Sequence, residues 1–120
     1  KTTMGSSQSS ADHSENCKYI DTPAEFDAVL SSAGSKTVFV DFTASWCPPC
    51  KRIGPKFVAF ADKYTEAIFI KVDVDKNSET SGKYGVSAMP TFIAIKDSKK
   101  VDEMVGASES GLEAMITKNK

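Results

Sequence analysis

Two cysteines separated by two prolines are the residues of this sequence best suited to chemistry, in the segment Trp46-Cys47-Pro48-Pro49-Cys50. The segment lies between an apolar run that predicts a buried strand and a longer run with helical periodicity. At the first turn of a helix, unpaired N–H groups and the helix dipole favour the thiolate, which is the form of cysteine that attacks disulfides. We therefore expect Cys47 to be the accessible nucleophile and Cys50, one turn further in and shielded, to be the resolving thiol. Both prolines suit a first helical turn, where an N–H group has no helical partner.

The same cysteines admit a second interpretation as zinc ligands. His13-x3-Cys17 together with Cys47-x2-Cys50 supplies a nominal set of three thiolates and one imidazole. The stiff double proline, which donates no hydrogen bond to sulfur, and the Ser-rich surroundings of His13 favour redox chemistry and no bound metal. Cys17 remains as a third thiol. We expect it to be a free cysteine, the alternative being regulation through an intermolecular disulfide or a glutathione adduct.

A carboxyl group interrupts the apolar segment that precedes the cysteines. Asp41 stands in Val38-Phe39-Val40-Asp41-Phe42, six residues before Cys47. Its apolar neighbours predict burial, and a buried carboxyl group keeps its proton to higher pH, which suits proton exchange near neutrality. A surface carboxylate on an edge strand is the alternative. Lys71, in the next strand segment, is expected to balance the charge of Asp41, or else to be an ordinary surface lysine.

The elements that position these residues alternate between short strands and helices. Thr22-Pro23-Ala24-Glu25 is a capping box with proline at the first helical position, and Gly34 is a suitable helix stop. Pro55 is expected to kink the longest helix without ending it, because the helical periodicity continues beyond it. The alternation of strands and helices along the chain predicts an α/β domain with a mixed sheet flanked by helices on both faces. Strands are predicted at residues 17–20, 38–42, 68–72, 91–96 and 101–105, the last two as a hairpin. Helices are predicted at about 22–33 and 50–64, from a cap at Asn77 to near Gly82 or Gly85, and from Ser108 onward.

Composition narrows the classes of function further. The 120 residues, 40% hydrophobic and 26% charged, are typical of a single globular domain. Fifteen basic against sixteen acidic side chains give a net charge of −1, which offers no general attraction to nucleic acid or anionic lipid. His13 is the single histidine, which removes most histidine-based catalysis. No apolar run approaches the roughly 18 residues of a membrane span.

The first part of the chain differs from the rest. Residues 1–16 contain five serines and few apolar side chains, which predicts a flexible, solvated tail before a domain at residues 17–120. Within it, Met4-Gly5-Ser6-Ser7-Gln8-Ser9 fits the pattern for N-myristoylation of Gly5, provided that translation starts at Met4. A single acyl chain would give weak, reversible membrane contact.

Several motifs together resemble the thioredoxin family. They are Asp41-Phe42-Thr43-Ala44-Ser45-Trp46-Cys47-Pro48-Pro49-Cys50-Lys51, then Pro55 five residues after the second cysteine, and Met89-Pro90-Thr91 before the predicted hairpin. The resemblance extends from about residue 17 to the end of the chain and is strongest to eukaryotic cytosolic and plant h-type members. Pro48 departs from the family pattern, which usually has glycine there. The Cys-Pro-Pro-Cys form is known in some plant-type thioredoxins and in tryparedoxins.

The resemblance implies the thioredoxin fold and protein-disulfide reduction through a Cys47–Cys50 redox disulfide, without a bound cofactor. It also implies that Asp41 deprotonates Cys50 through a water, with Lys71 as charge partner, and that the bond before Pro90 is cis. A shallow substrate groove is expected around the reactive sulfur, with Met89 offering its backbone to an extended substrate. The residues expected to form this groove are Trp46, Pro48, Pro49, Ala88, Met89, Pro90, Thr91, Gly106 and Ala107.

The resemblance further implies partners and a location. The expected reductant is an NADPH-dependent thioredoxin reductase or glutaredoxin, the expected targets are disulfide-bearing proteins such as peroxiredoxins, and the protein is expected to be a cytoplasmic monomer. Two alternatives stay open at this point. One is a tryparedoxin- or nucleoredoxin-like electron donor to peroxidases, and the other is a binding module that uses the fold as a structural subunit.

Overall fold

Five strands and four helices make up residues 14–120, the part of the chain that the computed structural model describes. The strands are β1 (Cys17–Tyr19), β2 (Val38–Thr43), β3 (Ile68–Asp73), β4 (Thr91–Lys96) and β5 (Lys99–Val105). The helices are α1 (Pro23–Ser32), α2 (Pro48–Lys63), α3 (Ser78–Lys83) and α4 (Glu109–Asn119).

The sheet is mixed, with the strand order β1-β3-β2-β4-β5. β1, β3 and β2 run parallel, and β4 and β5 continue the sheet antiparallel. β2 lies between β3 and β4, and helices cover both faces of the sheet, so all six residues of this strand are buried. The predicted α/β fold with a central mixed sheet and helices on both faces is confirmed.

Side chains on each strand alternate between two apolar layers. One layer joins the sheet to α2 and α4 and contains a group of packed rings, in which the Phe57 and Phe69 centroids are 5.3 Å apart. The other layer joins the sheet to α1 and α3, where the rings of Phe26 and Tyr84 are 5.6 Å apart. Asp41 follows Phe39 of the α2 layer by two residues in β2. The alternation therefore directs its carboxyl group to the face that α2 covers.

The helix and turn ends follow the local sequence closely. Thr22 Oγ1 accepts a hydrogen bond from the Glu25 N–H at the start of α1. Gly34 directly follows the C-cap residue of α1 and has a φ of +62°. α2 contains Pro55 and continues to Lys63, as predicted. Two predicted starts are wrong by two residues. α2 begins at Pro48 rather than near residue 50, and β5 begins at Lys99 rather than 101 because positive φ angles at residues 97 and 98 close the hairpin in two residues.

Ser14 and Asn16, at the end of the predicted tail, make hydrogen bonds with the folded part of the chain. Ser14 and Cys17 exchange backbone hydrogen bonds of 2.9 and 3.0 Å, and the Asn16 side-chain amide donates to Asp62 at 2.9 Å. The predictions for the rest of the tail, including the acylation pattern at Gly5, and the position of His13 lie outside the described residues. No helix between Ser14 and the end of the chain combines the length and apolar character that crossing a bilayer requires.

Candidate functional site

Cys47 and Cys50 are joined by a disulfide at the start of α2, with their Cα atoms 5.3 Å apart. Cys47 is the N-cap residue of the helix, and its Sγ accepts a hydrogen bond from the Cys50 backbone N–H at 3.2 Å. Pro48 and Pro49 occupy the two positions between them and have no N–H to donate. The first turn of α2 therefore offers the Cys47 sulfur one close backbone donor. Residues other than proline between the two cysteines would add further N–H groups there.

The two cysteines differ less in exposure than the sequence suggested. Cys47 is 4% exposed and Cys50 is 3% exposed, so both sulfurs are enclosed in the disulfide form. Trp46, by contrast, is 62% exposed beside them, and its indole N–H donates to Asp75 Oδ2 at 2.9 Å. This bond orients the indole next to the disulfide. Asp75 was not identified from the sequence, because only the folded chain brings it to Trp46.

The loop before β4 closes the site from the other side. The Met89–Pro90 peptide bond is cis, and the Met89 carbonyl oxygen lies 3.7 Å from Cys47 Sγ. The Gly106 N–H donates to the Pro90 carbonyl at 2.9 Å, which joins the start of β4 to the end of β5. Of the residues expected in a substrate groove, Trp46, Pro48 and Ala88 are exposed, and Pro49, Met89, Gly106 and Ala107 are partly buried.

Two of the expected groove residues lie beneath the surface. Pro90 is buried, and Thr91 is buried as the first residue of β4, where its hydroxyl donates to the Ala88 carbonyl at 2.5 Å. Thr91 therefore stabilises the turn, and its side chain does not line a groove. The side chain is buried because β4 pairs with neighbours on both sides and helices cover the sheet, so only the backbone of Thr91 remains available to a groove.

Asp41 and Lys71 form a buried ion pair on the face of the sheet that α2 covers. They are register partners across β2 and β3, and Lys71 Nζ lies 3.8 Å from Asp41 Oδ2. Asp41 is 1% exposed, and neither of its carboxylate oxygens has a hydrogen-bond partner. Burial raises the pKa of Asp41 to about 7, and the positive charge of Lys71 opposes this rise. The alternatives of an edge-strand carboxylate and an ordinary surface lysine are wrong, because both side chains are enclosed.

A cleft of about 240 Å³ connects the resolving cysteine with the ion pair. Both Cys50 and Lys71 contribute to its wall. At about 30 Å³ for a water molecule in the liquid, the cleft has room for several waters. Water in it can reach the Cys50 residue and the Lys71 side chain, and Asp41 lies behind Lys71 without lining the cleft. The complete lining is Tyr19, Thr43, Ala44, Ser45, Cys50, Lys51, Lys71 and Asp73.

Cys17 is a free cysteine, as expected, and its thiol is fully buried at the start of β1. Burial raises its pKa to about 12, although the nearby charge of Lys71 acts in the opposite direction. Modification of this thiol would first require β1 to open. Among residues 14–120, no three His, Cys, Asp or Glu side chains are grouped in a way that could hold a metal ion.

Known proteins resemble this chain in sequence and in fold. A family model described as Thioredoxin matches residues 18–118. The thioredoxin of Geodia cydonium is 50% identical over 103 residues, which is 85% of this chain and 97% of that protein. A thioredoxin H-type of Oryza sativa subsp. indica is 48% identical over 97 residues, covering 79% of this chain and 80% of its own length. The X-ray structure of Fasciola hepatica thioredoxin matches with a TM-score of 0.84 and 44% identity over 86% of this chain and 99% of that one.

Proposed function

The chain belongs to the thioredoxin family, and from this premise we propose a specific role for each site residue in the exchange of disulfides with protein substrates. Members of the family are thiol–disulfide oxidoreductases, and this chain is one of them, with Cys47 and Cys50 as its redox-active pair. The observation that carries the proposal is the Cys47–Cys50 disulfide at the first turn of α2, beside the buried carboxyl group of Asp41.

In the proposed reaction the Cys47 thiolate attacks one sulfur of a target disulfide. A mixed disulfide forms, and the other target sulfur leaves as a thiolate. The Cys50 thiolate then attacks Cys47 Sγ, which forms the Cys47–Cys50 bond and releases the second target thiolate. The target gains two electrons and the chain loses two. Two features support the assignment of Cys47 as nucleophile, namely its N-cap position and the hydrogen bond that its sulfur accepts from the Cys50 N–H.

We assign the removal of the Cys50 proton to Asp41, acting through water that enters from the cleft lined by Cys50 and Lys71. A carboxyl group with a pKa of about 7 is close to half ionised at neutral pH, so it accepts and returns a proton without a large energy difference. Lys71 supports the ionised form, because its ammonium group lies 3.8 Å from Asp41 Oδ2. In the mixed disulfide, this arrangement favours a Cys50 thiolate at the moment of resolution.

The groove around the disulfide is proposed to bind an extended substrate segment. The Met89 carbonyl, close to Cys47 Sγ, is suitably placed to accept a backbone hydrogen bond from such a segment. The exposed Trp46 ring and the small side chains of Ala88 and Ala107 offer an apolar surface on either side. Pro48, Pro49 and Gly106 complete this surface.

Partners and location are proposed on the same basis. The reductant is an NADPH-dependent thioredoxin reductase or a glutaredoxin, and the targets are disulfide-bearing proteins such as peroxiredoxins. The protein is proposed to act as a monomer. A cytoplasmic location is supported by cysteine usage, because the chain has three cysteines, two in the redox pair and Cys17 free, and no separate structural disulfide.

Reduction of insulin disulfides tests the activity, with thioredoxin reductase plus NADPH and glutaredoxin plus glutathione supplied in parallel reactions. We expect turnover with at least one donor and complete loss in Cys47→Ser, while Cys50→Ser accumulates a mixed disulfide with the target. Cys17→Ser is the matched control and should keep full activity. Turnover that survives Cys47→Ser would refute the assignment of Cys47 as nucleophile, whereas no turnover of the wild-type protein with any donor would favour a structural binding module.

The choice of donor also separates the alternatives. Reduction by trypanothione or glutathione alone would favour a tryparedoxin-like role.

A further inference from the structure

Tyr19 contacts the proposed proton-exchange pair from β1. Its ring centroid lies 5.3 Å from Lys71 Nζ, within the range of a cation–π interaction. The two residues are register partners in the parallel pairing of β1 with β3, so their side chains leave the sheet on the same face. This contact brings an aromatic ring to the ammonium group from the strand that lies on the opposite side of β3 from Asp41.

The backbone of α2 encloses the same ammonium group from another direction. A Cβ atom added at Gly54 would lie 3.2 Å from Lys71 Nζ, which is closer than nine in ten real contacts of this type. Glycine at this position therefore leaves the space that the ammonium group occupies. Within residues 14–120, Lys71 Nζ is approached by the Tyr19 ring from β1, by Gly54 from α2 and by the Asp41 carboxylate from β2.

Without the Tyr19 ring, the Lys71 side chain can turn away from Asp41 and into the neighbouring cleft. Lys71 and Tyr19 both line the 240 Å³ cleft, and so does Asp73, a second carboxylate two residues further along β3. A long, flexible ammonium side chain gains hydration when it turns into such a cleft. Tyr19 is 36% exposed and lines the cleft beside Lys71, so its ring covers one side of the ammonium group.

We propose that Tyr19 is a positioning residue, whose ring holds the Lys71 ammonium against Asp41 and so sets the pH range in which Asp41 exchanges its proton. This proposal rests on the role of Asp41 proposed above. When Lys71 turns away, Asp41 loses its nearest positive charge while its apolar surroundings stay, so its ionised form becomes less favourable.

The other titratable groups that the structure describes near the pair do not obscure this effect in the disulfide form. Cys17 on β1 remains protonated, because its pKa is raised to about 12. Cys50 on α2 has no proton to exchange while it is disulfide-bonded. Lys51 and Asp73 line the cleft with opposite charges and are the same in every variant compared.

The test is a titration of the Asp41 carboxyl carbon by NMR in the oxidised protein, for wild type, Tyr19→Leu and Tyr19→Phe. Leu removes the aromatic face, and we expect the pKa of Asp41 to rise by about half a unit or more, the size of a modest cation–π interaction. Phe keeps the ring and is the matched control, so the pKa of Asp41 should stay within about 0.2 units of wild type. If Tyr19→Leu does not fold, Tyr19→Ile takes its place, because isoleucine also lacks an aromatic ring and is a good strand former.

A double-variant cycle shows whether the effect acts through the lysine. Lys71→Met should raise the pKa of Asp41 by itself, and Tyr19→Leu should add nothing in that background. The proposal would be overturned if the pKa of Asp41 were equal in Tyr19→Leu and Tyr19→Phe. It would also be overturned if Tyr19→Leu still raised this pKa in the Lys71→Met background. The pH profile of insulin reduction, with Asp41→Asn as reference, keeps this result separate from the proposed function. Tyr19→Leu could shift the pKa of Asp41 while the pH profile of insulin reduction is the same in Asp41→Asn and in wild type. That result would refute only the proposed role of Asp41 in removing the Cys50 proton.

Discussion

Replacing Asp41 by Asn should remove most of the pH dependence of stability of the oxidised protein near neutrality. In the native state burial raises the pKa of this carboxyl group from 3.8 to about 7. The unfolded chain therefore releases the proton at lower pH than the native state does. Between these two values the native state binds more protons, so its stability is greatest at acidic pH and falls as the pH rises, until the native carboxyl group is also ionised.

The expected size follows from the pKa difference. A difference of about 3 units, at about 1.4 kcal/mol per unit, lowers the free energy of unfolding by about 4 kcal/mol in total. About 3 kcal/mol of this change falls between pH 5 and pH 9. Asn has nearly the same shape as Asp and no proton to exchange in this range, so the Asn variant lacks this decline.

Urea unfolding of the disulfide form, followed by circular dichroism at several pH values, measures the effect. The disulfide form is suitable because neither Cys47 nor Cys50 has a proton to exchange. Loss of the ion pair with Lys71 shifts the absolute stability of the variant, so the comparison rests on the slope against pH. Asp27→Asn, at an exposed carboxylate of α1, is the matched control and should follow the wild-type slope. Parallel slopes for wild type and Asp41→Asn would refute the raised pKa of Asp41.

Two further predictions concern the cysteines. Pro48→Gly should lower the pKa of the Cys47 thiol in the reduced protein by about half to one unit, because it restores a backbone donor near the sulfur that accepts from the Cys50 N–H. Pro48→Ala restores the same donor without the flexibility of glycine and should act in the same direction in a thiolate absorbance titration, whereas no change in either variant would contradict the donor account. Cys17 should resist iodoacetamide in the oxidised native protein and react fully in urea, because its thiol is buried and its pKa is raised to about 12. Rapid labelling of Cys17 in the native state would show that β1 opens readily.

The elements and the reactive pair were predictable from the sequence because they depend on local patterns. The capping box at Thr22 and the helix stop at Gly34 lie within one turn of the helix ends that they specify. Residues 38–42 are apolar apart from Asp41, which correctly predicted an interior strand and a buried carboxyl group. The two cysteines are three positions apart at a helix start, so the geometry of a single turn suffices to bring their sulfurs together.

Only the tertiary structure decided what surrounds these residues. Tyr19, Gly54 and Lys71 come from β1, α2 and β3, and no local pattern relates them. They meet because the strand order places β3 between β1 and β2 and because α2 packs on the face that Lys71 shares with Asp41.

The same reason explains the contact of Trp46 with Asp75 and the burial of Thr91. Periodicity and capping are properties of neighbours in the chain and can be read from the sequence. The surroundings of a buried charge, and hence its pKa, depend on residues that are distant in sequence and become neighbours only when the sheet and its helices pack together.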